Sequence, residues 1–127
     1  RSFSLLIQHT GLTHKQVGLL AVVDTGMASS QREIATHLGV APSLVVSLVD
    51  QLVNIGAVRR TRSTRDRRVQ AVEITDEGHG LLRIATNVVE TLDVDLRKRL
   101  SPGDQQDLDR LLPLLLQSSA TAGRDRA

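Results

Sequence analysis

From Ser30 to Ile55 the sequence encodes two helices with almost nothing between them. In "SSQREIATHLG", Ser30 and Glu33 stand at the spacing of a capping box, in which each side chain accepts from the other residue's backbone N–H. Ile34, Ala35 and Leu38 share one face, and Gly39 is suited to a left-handed stop. Only Val40 and Ala41 intervene before Pro42, which fits the first turn of a new helix because its missing N–H would have no partner there. Helices joined this tightly must turn sharply, which is the helix-turn-helix pattern.

The second helix, "PSLVVSLVDQLVNIG", separates into two faces at 100° per residue. Leu44, Val45, Leu48, Val49 and Leu52 gather on one side. Ser43, Ser47, Asp50, Gln51 and Asn54 gather on the other, flanked by Val46 and Val53. An ordinary amphipathic helix accounts for that layout. The small residues Ser43, Val46 and Ser47 at the wet N-terminal end would in addition allow close approach to another surface. Tight helical hairpins also serve as packing units, so the helix alone leaves both readings open.

After Gly56 the pattern changes to short β-branched runs, "AVRRTR" and "VQAVEIT", with Val72 and Ile74 set against Gln70 and Glu73. "STRD" between them has the chemistry of a turn. A hairpin directly after a helix-turn-helix is a wing. Its sequence, "RRTRSTRDRR", holds Arg59, Arg60, Arg62, Arg65, Arg67 and Arg68 with a single acid, Asp66. Six of the sixteen basic and one of the fourteen acidic side chains fall here, a local +5 against −3 for the rest of the chain. So concentrated a charge points to a local anionic partner. Arg in place of Lys supplies the planar fork that suits phosphate and groove edges. The bland reading is a solvated turn whose charges keep a sheet edge soluble.

Helices flank this unit. Thr13 and Gln16 repeat the capping-box spacing before "VGLLAVVDTG", where Val17, Leu20 and Ala21 form a stripe that ends at Gly26. Upstream, Phe3, Leu6 and Ile7 lie at helical spacing, ending near Gly11. Thr75, Asp76 and Glu77 open a long helix in which Leu81, Ile84, Val88, Leu92, Leu96 and Leu100 recur. It has room for about 24 residues, roughly 36 Å. Ser101 and Pro102 restart the chain as a Leu-rich helix that Pro113 should kink or end. So apolar a terminal helix wants a partner helix, most economically from a second copy. The tail "QSSATAGRDRA" should fray. At 127 residues, 40% of them hydrophobic, this is one domain, and with Phe3 the only aromatic residue its core must be Leu, Val and Ile.

Taken in order, "LTHKQVGLLAVV", "SQREIATHLGVAPSLVVSLVDQLVNIGAVRR", the wing "DRR" and "VEITDEG" resemble the MarR family of winged helix-turn-helix transcriptional regulators, from about Leu12 to Gly80. The resemblance implies a mainly α fold with a small β-hairpin wing. Residues 13–80 would form the winged helix-turn-helix, 1–12 and 81–117 N- and C-terminal dimerisation helices, and 118–127 a flexible tail. It also implies a homodimeric repressor on an inverted-repeat operator in double-stranded DNA, released by a small lipophilic or phenolic effector. Pro42, Ser43, Leu44, Val46 and Ser47 fall on the recognition helix. Where the family favours Thr and Arg this chain has Leu44 and Ser47, and Ala41 stands at a usual Ser or Thr cap. Arg62, Arg65, Asp66, Arg67 and Arg68 fall in the wing, with Arg65 or Arg67 expected in a minor groove. Asp66 is expected to hold Arg68 or Arg65 and stiffen the loop. Arg32 is placed either to reach a phosphate or to pair with Glu33 or Asp50. His9 and His14 lie near the place where family members bind effectors, though lone histidines are more often ordinary helix-end residues.

Other chemistries find little support. Cysteine is absent, which excludes disulfides and thiolate metal sites. The histidines at 9, 14, 37 and 79 form no i, i+4 pair, so no metal or other cofactor is expected. No phosphate loop or nucleophile setting suggests an enzyme. RNA binding would call for stacking aromatics. The serious alternative is a winged-helix module gripping an acidic protein partner with its Arg-rich wing. Without a signal peptide or an apolar run long enough to span a bilayer, no membrane partner is expected and the location is cytoplasmic. The chain opens at Arg1 rather than Met, so a preceding segment is expected.

Overall fold

The computed structural model describes residues 11–63, 66, 68–90 and 98–126. Among the described residues five helices and one hairpin follow in order: α1 (His14–Thr25), α2 (Gln31–Leu38), α3 (Pro42–Asn54), β1 (Val58–Arg62), β2 (Gln70–Ile74), α4 (Asp76–Glu90) and α5 (Pro102–Arg126). The expected N-terminal helix with Phe3, Leu6, Ile7 and His9 lies outside the described residues, as do Arg65, Arg67, Leu92 and Leu96.

Both capping boxes form. Gln16 N–H donates to Thr13 Oγ1 while Thr13 N–H donates to Gln16 Oε1, and Ser30 and Glu33 do the same. Gly39 adopts φ +66°, the left-handed conformation a side chain disfavours, and so turns the chain out of α2. From α2 to α3 the axis bends by 111°. Ala41 precedes α3 without a side-chain cap, and Pro42 opens it.

α1 is not the one-sided helix its stripe suggests. Val17, Gly18, Leu19, Leu20, Ala21 and Val22 are all buried, because α2, α3, α4, α5 and β2 surround it. α5 folds back along α1 and buries Leu108, Leu111 and Leu115. Part of the terminal helix thus packs within its own chain, while Leu112 and Leu114 are only half-buried. α5 does not end at Pro113. A proline removes one backbone bond, and Leu111 and Leu115, buried on either side, hold the helix across that gap. The backbone of 118–126, expected as a tail, is also helical; its only breaker is Gly123 near the end.

β1 and β2 pair antiparallel from Val58↔Ile74 to Arg62↔Gln70, and beyond the ladder Ser63 N–H donates to Val69 O at 2.9 Å; Thr64 and Arg65 of the turn expected at "STRD" lie outside the described residues. Ala71 and Val72 are both buried, which simple alternation does not give. The cause lies across β2's other edge, where Ser30 bridges Ala71 and Val72 N–H donates to Ser29 O at 2.7 Å. A one-residue third strand covers that edge.

Thr75 caps α4 by accepting from Gly78 N–H at 3.1 Å, and its hydroxyl donates to Gly56 O. At Gly78 a Cβ would stand 2.1 Å from Ala57 O, so only glycine lets the helix sit on the β1 entry. That close approach sets the rotation of α4. It buries Gly78, Leu82, Ala85 and Thr86; of the expected stripe, Leu81 and Val88 are half-buried against the core and Ile84 is 51% exposed. His79 Nδ1 pairs with Asp24 at 3.0 Å, tying α4 to the end of α1.

Candidate nucleic-acid interface

α3 buries Val45, Leu48, Val49 and Leu52 and leaves Pro42, Ser43, Val46, Ser47, Asp50 and Gln51 exposed. Leu44, also in the expected reading set, is half-buried and packs against the core. Its position one residue before Val45 explains this, since the apolar arc is wide enough to take it in.

Beside this face stands β1, joined to it by Arg60. The guanidinium meets Asp50 Oδ1 at 2.7 Å and donates to Gln31 Oε1 at 3.3 and 3.0 Å and to the Val46 carbonyl at 3.4 Å. The residue is half-buried. One side chain thus links the first strand of the wing, the start of α2 and the middle of α3. The sequence reading placed Arg60 among phosphate contacts or surface charges; the structure makes it a joint. Its partners lie 29, 14 and 10 positions away, a separation that no local pattern reveals.

The other arginines divide similarly. Arg59 pairs across the hairpin with Glu73, directly opposite in register, at 3.2 Å. Arg68 donates through Nε and Nη2 to the two carboxylate oxygens of Asp66, at 3.1 and 3.2 Å, and its backbone N–H donates to the same carboxylate at 3.0 Å. These bonds hold the Asp66 carboxyl below the usual aspartate range, the Arg68 side chain first and its backbone second. Of the two partners expected for Asp66, Arg68 is in contact; the other, Arg65, lies with Arg67 outside the described residues. Arg62 is exposed at the end of β1 with no ion pair among the described residues. Arg32 is exposed on α2 and likewise unpaired among them; both expected partners are engaged elsewhere, Asp50 with Arg60 and Glu33 in its capping box.

A second feature lies behind the helix-turn-helix. A cleft of about 300 Å³ opens where α1 and α5 meet α2 and α3. Leu38, Leu48, Leu111 and Leu114 give it apolar walls, and His14, His37, Asp107 and Arg110 a polar margin. His14 Nε2 stands 3.4 Å from Asp107 Oδ2. The sequence points to His14 but not to His37 for an effector site, and only the fold brings the two to one cleft.

No single helix among the described residues is long and apolar enough to cross a membrane, and no cluster of His, Cys, Asp or Glu there is fit to hold a metal.

Comparison with known proteins agrees with this geometry. The sequence model of the MarR family matches residues 12–69. A protein of Thauera aromatica named as a transcriptional regulatory protein for the hcr operon is 31% identical over 94% of this chain and 73% of its own length. The HTH-type transcriptional repressor Rv2887 of Mycobacterium tuberculosis is 28% identical over 88% and 81%. Among solved structures, the transcriptional repressor CouR bound to a 23-mer DNA duplex superposes with a TM-score of 0.69 at 32% identity, covering 93% of this chain and 82% of that one. CouR from Rhodococcus jostii RHA1, bound to p-coumaroyl-CoA, gives 0.66 at 26%, covering 86% and 77%. The winged fold, the matched helix-turn-helix and the shared length lead to one assignment: the chain belongs to the MarR family of transcriptional regulators.

Proposed function

We propose that this chain is a repressor that binds double-stranded DNA as a homodimer on an inverted-repeat operator and is released by a small lipophilic or phenolic effector. The observation that carries the reading is the exposed small-residue face of α3, held beside an arginine-bearing hairpin by Arg60. α3 enters the major groove through Pro42, Ser43, Val46 and Ser47. The wing, from Arg62 through Arg65, Asp66, Arg67 and Arg68, reaches the adjacent minor groove, where Arg is favoured. Arg32 meets a phosphate. Residues 13–80 act as the DNA-binding unit, and 1–12 with 81–117 as the arms that join two copies. Beside these arms Ile84 and the neighbouring Ile55, 51% and 47% exposed, offer further apolar surface to a second copy. CouR bound to a duplex supports the DNA partner, and CouR bound to p-coumaroyl-CoA supports a small-molecule one. Acting on chromosomal DNA, the protein works in the cytoplasm.

The cleft is the effector site in this reading. An occupant wedged between α1–α5 and α2–α3 favours a different spacing of the two recognition helices, and so shifts the population away from the DNA-binding state.

A salt titration of duplex binding tests the DNA partner. Each phosphate contact steepens the log–log slope by about 0.9, and a protein with no salt-sensitive duplex binding is not a DNA regulator. For the effector, a simple phenolic acid should weaken duplex binding, and the duplex should weaken acid binding by the same factor. Acid that binds without changing duplex affinity would remove the cleft from the mechanism.

A further inference from the structure

We infer that α3 recognises its duplex chiefly by apolar contact, with the Val46 side chain against the C5-methyl group of a thymine in the major groove and the Ser43 and Ser47 hydroxyls on either side. This rests on the reading of α3 as a recognition helix. Val46 is 40% exposed, and Ser43, Val46 and Ser47, three and four positions apart, occupy one face of the helix.

The argument turns on what the rest of that face has available. Its two longer polar side chains nearest Val46 are Asp50 and Gln51, and both are engaged inside the protein. Asp50 is held by Arg60 at 2.7 Å, which neutralises the carboxylate that would otherwise accept from a cytosine amine. Gln51 Oε1 accepts from Gln16 Nε2 at 2.8 Å. Gln16 is in turn fixed by its capping box, since its Oε1 accepts from Thr13 N–H at 2.9 Å. A glutamine reads adenine with its oxygen and its nitrogen together, and here the oxygen is occupied. Arg60 also donates to the Val46 carbonyl at 3.4 Å, so the joint that removes Asp50 from the reading face is anchored beside Val46 itself.

What remains at this end of α3 is two hydroxyls and an isopropyl group. Hydroxyls donate or accept at several bases and discriminate weakly. In the major groove only thymine presents a methyl group, so the isopropyl group has one complementary base edge. The sequence preference then centres on a thymine, repeated once in each half-site of a symmetric operator.

The test uses the full chain. Duplexes are selected from a random pool, and each thymine of the enriched sequence is replaced in turn by deoxyuridine, which deletes the C5-methyl group and leaves base pairing unchanged. At one thymine per half-site the replacement should weaken wild-type binding about fourfold, the factor expected for one buried methyl group. Val46→Ala, a truncation at an exposed position, should bind the thymine duplex more weakly and be indifferent to that replacement. Enriched duplexes in which no deoxyuridine position matters would overturn the inference and leave the DNA-binding reading intact. A Val46→Ala chain that keeps the whole penalty would do the same. A pool from which nothing is enriched would overturn both.

Discussion

In the proposed interface Arg60 acts on α3 rather than on DNA, through its contacts with Asp50 and the Val46 carbonyl. Asp50 lies on the face of α3 proposed to approach DNA, where an unpaired carboxylate would repel phosphate, and Arg60 cancels it at 2.7 Å. Arg60→Met should therefore weaken duplex binding about tenfold in the wild-type background but less than about threefold beside Asp50→Asn, as coupling through a shared pair requires. Equal losses in both backgrounds, with the salt slope reduced by about 0.9, would instead show that Arg60 grips a phosphate. Asp66 gives a second residue-scale expectation. Its carboxyl is depressed by Arg68, so the pair is complete above the ordinary aspartate range and lost only as pH falls through the lowered value. A carboxyl titration by NMR should place its midpoint below 3.8, and Arg68→Gln should return it toward that figure. Between roughly pH 5 and 8, duplex binding should carry no contribution from Asp66 titration. The sequence made the Asp66 pairing legible because Arg68 is two positions away. Arg60 stayed hidden because Gln31, Val46 and Asp50 meet it only after the chain has folded.

The helix-turn-helix was readable almost to the residue, since its signals are local. The capping hydroxyl, the glutamate three positions on and the stop glycine each act within one turn of backbone. The one weak terminus is also local: Ala41 offers α3 no side-chain acceptor. Its φ of −65° and ψ of 142° are already those of an N-cap, and the residue is exposed. Ala41→Ser should therefore supply the missing acceptor without rearrangement and stabilise the fold by about 1 kcal/mol, seen as a raised urea midpoint at constant slope. An unchanged midpoint would mean that the first turn of α3 is already satisfied by other means. The hairpin was less legible. Its strands follow from β-branched composition, but the burial of both Ala71 and Val72 depends on Ser29 and Ser30 closing the far edge. A one-residue strand leaves no periodicity to read.

At the scale of the whole chain, α5 shows what periodicity leaves open. Six leucines in one terminal helix suggested a surface kept for another copy, because periodicity reports an apolar face but not what covers it. The fold turns three of them, Leu108, Leu111 and Leu115, against α1 and so buries α1 all round from Val17 to Val22. Two consequences follow. The cleft at the α1–α5 seam exists only because α5 lies there, which ties any effector response to the helix that completes the core. Deleting α5 should also do more than loosen a dimer. Three fully buried leucines are worth about 5–9 kcal/mol together, comparable with the whole net stability of about 5–15 kcal/mol for a domain of this kind. A chain ending at Leu100 should consequently lose its cooperative urea transition, and α1, exposed along Leu111's former contact, should associate non-specifically. If the shortened chain unfolds cooperatively near the full-length midpoint, α5 is an accessory to the fold, and its leucines are again free to be counted as surface for a second copy.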